Sequence, residues 1–152
     1  MKKKSFIIVL IVFIVMFSAV SCKKNNPVIP PTADFSIVIQ AAGQTVLVSG
    51  IIVGANYLVK ATIKEIAGVG AQILTVKTTF ADSYGNTDVF SDTGGEVFPG
   101  GYISGKTQVI GTVSVYIGAA HLAAAKTVQM TIEFLDDNAH HITKTVQASV
   151  QW

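Results

Sequence analysis

The sequence predicts an all-β domain over residues 33–152. Three observations carry that prediction. After Asp34, apolar and polar residues alternate with period two, the signature of strands with one face buried and one face wet. Stretches rich in Gly, Asp and Asn, such as Ala67-Gly68-Val69-Gly70 and Asp82-Ser83-Tyr84-Gly85-Asn86, interrupt that alternation where turns belong. No segment supports a helix of more than two turns.

In chain order, Phe35, Ile37 and Ile39 share one face of a first short strand, opposite Ser36 and Gln40, and Ala42-Gly43 is expected to break it. Thr45 to Val53 is a further apolar, β-branched run, with Gly50 placed as a bulge or bend. Tyr57, Val59, Ala61 and Ile63 then alternate with Leu58, Lys60, Thr62 and Lys64. Leu74, Val76 and Phe80 are expected to point inward against Thr75, Lys77 and Thr79. Asp82–Asn86 closes a hairpin into a weaker strand around Thr87 to Phe90.

Asp92 to Gly101 holds four glycines and Pro99 and reads as the least regular stretch. From Lys106 the alternation resumes through Val109, Gly111, Val113, Val115 and Ile117. The alanine-rich Gly118 to Lys126 has room for a single helical turn. Val128, Met130, Ile132 and Phe134 alternate with Thr127, Gln129, Thr131 and Glu133. Asp136-Asp137-Asn138-Ala139 turns the chain into a last strand. Its inner face is Ile142, Val146, Ala148, Val150 and Trp152, and its outer face Thr143, Thr145, Gln147, Ser149 and Gln151.

About seven to nine short strands over this length point to a single β-sandwich of immunoglobulin-like type. There is also an internal echo. Phe80-Ala81-Asp82-Ser83-Tyr84-Gly85-Asn86 matches Phe134-Leu135-Asp136-Asp137-Asn138-Ala139-His140 in kind: an inward phenylalanine, then an Asp-led turn. The same hairpin chemistry is expected twice, without a duplicated domain.

The N-terminal region has a different logic. Lys2, Lys3 and Lys4 precede an unbroken apolar run from Phe6 to Phe17, too short for the roughly 20 residues of a spanning helix, so a cleaved export signal is the better reading. The run ends in Ala19-Val20-Ser21-Cys22, whose cysteine is the only one in the chain. This tetrapeptide resembles the lipobox of bacterial lipoproteins, with Ala19 where the family usually has leucine. The resemblance implies cleavage before Cys22, a diacylglyceryl thioether on its sulfur and often a further acyl chain on the new amine. Two or three chains anchor a protein stably where one does not. Lys23, in place of an aspartate, favours the outer membrane by analogy with proteobacterial sorting. Three segments follow: a signal peptide at 1–21, a lipidated cysteine with a Pro-rich tether at 22–32, and the β-domain at 33–152.

The strand and turn Thr131-Ile132-Glu133-Phe134-Leu135-Asp136-Asp137-Asn138 is similar to the immunoglobulin-like and fibronectin-like modules of bacterial surface proteins. That resemblance implies a non-catalytic role in structure, adhesion, or the binding of a protein or glycan. The Cys, Trp and Cys pattern of antibody domains is absent, which excludes that branch.

Charge excludes another class. From Thr32 onward, six lysines face nine acids and there is no arginine, a poor match for nucleic acid. Among chemistry-bearing residues, His121, His140 and His141 with Asp136 and Asp137 form the alternative, a metal-binding periplasmic lipoprotein. Adjacent His140 and His141 point to opposite faces of a strand, and the acids lack the spaced calcium-loop pattern. Turn formation explains Asp82, Asn86, Asp136 and Asn138 more simply. No G-x-S-x-G elbow is present, and the Gly94-Gly95 and Gly100-Gly101 pairs lack the Lys-Ser/Thr of a phosphate cradle. No catalytic residue, metal ligand or cofactor is therefore assigned. Tyr84, Tyr102, Tyr116 and Phe98 remain as rings expected at the surface, where they could meet sugar or protein. The expected partner is a membrane, reached through acyl chains on Cys22 in the bacterial cell envelope, together with a protein or glycan.

Overall fold

The computed structural model describes residues 28–118 and 124–152, and the chain divides into two units at Pro30/Pro31. Cys22, the signal segment and His121 lie outside the described residues. From Pro31 the alternating pattern becomes strand. β1 spans Phe35–Val48, β2 Ile51–Glu65, β3 Ala71–Ala81, β4 Thr87–Thr93, β5 Tyr102–Ile103, β6 Gln108–Gly118, β7 Thr127–Asp136 and β8 His141–Gln151. One helical turn, α1 (Gly94–Val97), and a 3₁₀ turn (Pro99–Gly101) join β4 to β5.

The strands form one sheet in the order β4-β3-β7-β8-β1-β2-β6, with β5 paired to β3. All pairings are antiparallel except β1 with β8, which touch in parallel at Ala41/Val150 and Ala42/Gln151. The sheet curls upon itself. Tyr57 on β2 and Phe80 on β3 stand four places apart in strand order, yet their rings lie 4.8 Å apart. Phe35 of β1 likewise stacks on Phe134 of β7 at 4.0 Å, with β8 between their strands in the sheet. The curled inner face holds a core that runs from Ala33 to Val150, with Val59, Ile63, Ile103, Met130 and Ile132 fully enclosed. The described residues of the unit 31–152 thus share one hydrophobic core.

The inward residues of β2, β6 and β7 fall where the alternation places them. Four expectations need correction. Ala42-Gly43 does not break the first strand; β1 runs straight through it to Val48, and the chain reverses at Ser49-Gly50. Both turn residues have positive φ, 52° and 80°, the geometry of a tight hairpin. Gly43 is there to receive Trp152, since a Cβ on it would lie 3.0 Å from the indole ring. Leu74 does not lead the inward face of β3. A bulge between Ile73 and Thr75 makes it the extra residue, and Ile73 takes the buried position.

Phe98 is not a surface ring but is wholly buried. It lies over Gly111, where a Cβ would come 2.5 Å from its ring. The glycine-rich stretch around it is also more ordered than expected, because Thr93 and Glu96 form a capping box that starts α1.

Candidate functional site

Loops meet at two ends of the curled sheet. One end gathers the lead-in 31–34, the β2–β3 loop, the β5–β6 loop and the β7–β8 turn, and here the carboxylates are put to use. Glu65, the last residue of β2, is fully buried. Its Oε1 accepts from the amides of Asp34 (3.2 Å) and Ala67 (2.9 Å), and its Oε2 from Gly68 and Lys106 (2.8 Å each). Burial alone pushes this carboxyl upward. The four amides outweigh it and leave the group below its usual range. One side chain thus ties the lead-in, the β2–β3 loop and the β5–β6 loop together.

Asp136 does the same at the end of β7. Its Oδ1 accepts from the amides of Asn138 (2.9 Å) and His140 (2.8 Å). Its Oδ2 accepts from the Ala33 amide at 3.0 Å and lies 3.0 Å from His140 Nδ1. Burial raises its pKa, yet the His140 and Ala33 amides, the His140 ring and the Asn138 amide hold it down to about 2. Asn138 Nδ2 also donates to the Pro31 carbonyl at 2.6 Å. Lys144, facing inward on β8, pairs with Asp34 at 2.9 Å.

Of the residues proposed for metal chemistry, the fold brings together Asp136 and His140 and leaves His141 exposed at the start of β8. Both Asp136 oxygens are already occupied by turn and lead-in donors. Among the described residues, no three His, Cys, Asp or Glu side chains converge on one point. Asp137 turns instead to Tyr102, whose hydroxyl donates to its Oδ2 at 3.0 Å. That bond, with desolvation and the negative charge behind it, raises the phenol's pKa. Gly70 makes room for the pair, since a Cβ there would collide with both.

The second turn of the internal echo matches the first closely. Asp82 Oδ1 accepts from the amides of Tyr84 and Asn86, as Asp136 Oδ1 does from Asn138 and His140. Both aspartates act as turn hubs. The sequence pattern revealed the two hubs but not the reach of Asp136 and Glu65 to the lead-in, which joins residues 103 and 31 positions apart.

The opposite end carries the β1–β2 hairpin tip, the β3–β4 turn and Trp152. Tyr84 and Tyr116 are exposed there, as expected; Tyr102, also exposed, sits at the carboxylate end. The Tyr116 hydroxyl donates to the Val53 carbonyl at 2.9 Å. Trp152 Nε1 donates to the Ala125 carbonyl, and its ring meets Tyr57 edge-on at 5.6 Å. Where β1 and β8 diverge, a shallow groove of about 550 Å³ opens between Gln40, Leu58, Lys60 and Ser149. Among the described residues, no helix is long and apolar enough to cross a membrane.

Several solved structures share this backbone arrangement, and two of them illustrate it. A Bordetella pertussis protein described as ApaA superposes with a TM-score of 0.57 at 10% identity, over 78% of this chain and 94% of that one. The structural-genomics target SoR45 superposes with a TM-score of 0.52 at 14% identity, over 76% of this chain and 87% of its own. At such identities the likeness concerns the fold alone. No family model matches the sequence, and no curated protein matches it either.

Proposed function

We propose that this chain is a bacterial lipoprotein, exported by residues 1–21, acylated at Cys22, and displaying one immunoglobulin-like module in the cell envelope, most simply at the outer membrane. The module's role is non-catalytic: structural support, adhesion, or binding of a protein or glycan. The observation that carries the reading is Ala19-Val20-Ser21-Cys22 after a basic and then apolar run, in a chain with no other cysteine. Two features of the folded part support it. β1, β2 and β6 lie across a shared core from β3, β4, β7 and β8, as in a two-layer module. The segment just after the Pro-rich stretch is fastened by Asp136, Glu65, Asn138 and Lys144, which suits a domain held from its N-terminal side.

The test is expression in a Gram-negative host with labelled fatty acid. We expect a mature chain that begins at acylated Cys22 and fractionates with membranes. Cys22→Ser should lose the label and leave the membrane fraction unprocessed or released. An intact Met1 precursor in the cytosol, without acyl label, overturns the reading.

A further inference from the structure

The β1–β2 hairpin outruns the sheet that supports it. β6 stops pairing with β2 at Gly54/Gly118, and β1 meets β8 only at Ala41 and Ala42. Beyond these points the rungs Leu47/Ile52 and Val48/Ile51 stand as a two-stranded ribbon with which no other strand pairs among the described residues. Directly opposed residues share a face, so Leu47 and Ile52 cover one side and Val48 and Ile51 the other. All four are open to solvent, at 59%, 50%, 57% and 69% respectively. No charged side chain occurs from Ala41 to Val59.

We propose that this ribbon is a membrane-inserting tip that enters the interface of a zwitterionic phospholipid bilayer. This ribbon is apolar on both faces and has no rim charge to match a partner's. Its four side chains are a small part of the roughly 20–30 residues a side that make up a standard protein interface. That is too little for a stable pair of copies. A lipid medium surrounds the ribbon and uses both faces.

The base of the ribbon is built to match. Tyr116 lies over Gly54 on the outer face, its hydroxyl bonded to Val53, and Trp152 lies over Gly43 on the inner face. Half-exposed Tyr and Trp flanking an apolar element are the residues that settle at the headgroup level. Depth is limited by the backbone. Among the described residues no strand pairs with the outer edges of the ribbon, and edge amides and carbonyls left without a partner do not enter hydrocarbon, so insertion stops about 5–10 Å into the headgroup and acyl boundary.

This inference does not rest on acylation of Cys22, and its test omits that residue. Residues 31–152, one compact unit with its own core, are mixed with phosphatidylcholine vesicles and floated on a density gradient. We expect the domain to float with the vesicles, and to keep floating as salt shortens the screening length from roughly 10 Å to roughly 3 Å. Trp152 fluorescence should be quenched by lipids brominated near the headgroup. Leu47→Ser with Ile52→Ser, and separately Val48→Ser with Ile51→Ser, should each weaken partitioning about tenfold. Unchanged circular dichroism and melting temperature would confirm that these exposed changes spare the fold. The proposal fails if the domain does not float, or if neither pair matters. It fails equally if one face alone matters or binding needs anionic lipid, and if the tip instead drives a concentration-dependent dimer in solution.

Discussion

Ala139 stands in the β7–β8 turn where Gly85 stands in the β3–β4 turn. Each lies three residues after the aspartate that organises its turn, and their φ angles are 64° and 88°. Glycine adopts this left-handed backbone freely, whereas alanine holds its Cβ against the following carbonyl at a cost of about 1–2 kcal/mol. Ala139→Gly should therefore stabilise the domain, by about 0.5 kcal/mol after the entropy gained by the unfolded chain is set against the relief. Gly85→Ala should lower stability by about 1 kcal/mol, although nothing lies within 4 Å of the added methyl. Urea titration of both variants checks the pair.

Glu65 gathers four backbone amides from three segments in a buried setting. Glu65→Ala leaves those donors without a partner, and at about 1 kcal/mol each the loss should reach about 3 kcal/mol or more. Amide exchange should rise together at Asp34, Gly68 and Lys106. A loss confined to one loop would show that the three segments do not share this tie.

Acid should weaken the same end of the fold. A carboxylate whose folded pKa is depressed contributes stability above its unfolded value and loses it as pH falls through the folded one. For Asp136 the window runs from the usual 3.8 down to about 2, and Glu65 moves in the same direction. The denaturation midpoint should fall as pH drops from about 4 to about 2. In Asp136→Asn it should start lower and fall less over that interval.

The buried hydroxyl of Thr78 has no hydrogen-bond partner among the described residues, on the inner face of β3 opposite Met130 and Phe90. Thr78→Val keeps the shape and removes an unsatisfied polar atom, so it should gain about 1 kcal/mol. Thermal unfolding followed by circular dichroism measures the gain.

The strands were legible because each buries one face, and period two then writes the burial into the sequence. Tyr57 through Ile63 and Val128 through Phe134 are read correctly on that basis alone. Failures came where a distant side chain decides the local backbone. Gly43 reads as a break until Trp152, 109 positions away, fills the space over it, and Phe98 reads as a loop ring until Gly111 opens a seat. Leu74 fails because a bulge shifts the alternation by one residue, which no local composition announces. At the carboxylate end, the turn role of Asp136 followed from the Asp-Asp-Asn-Ala run that it opens. Its grip on Ala33, and all of the Glu65 cluster, needed the three-dimensional meeting of segments far apart in sequence.

β1 runs unbroken from Phe35, beside the fastened lead-in, to Val48 at the ribbon tip. Tension applied between those two places follows one covalent strand, already at about 3.4 Å per residue of the roughly 3.6 Å it can reach. Little length is left for the chain to yield along that line. Under such a load β1 acts as a stiff tie, whereas a pull on β8 meets only non-covalent resistance.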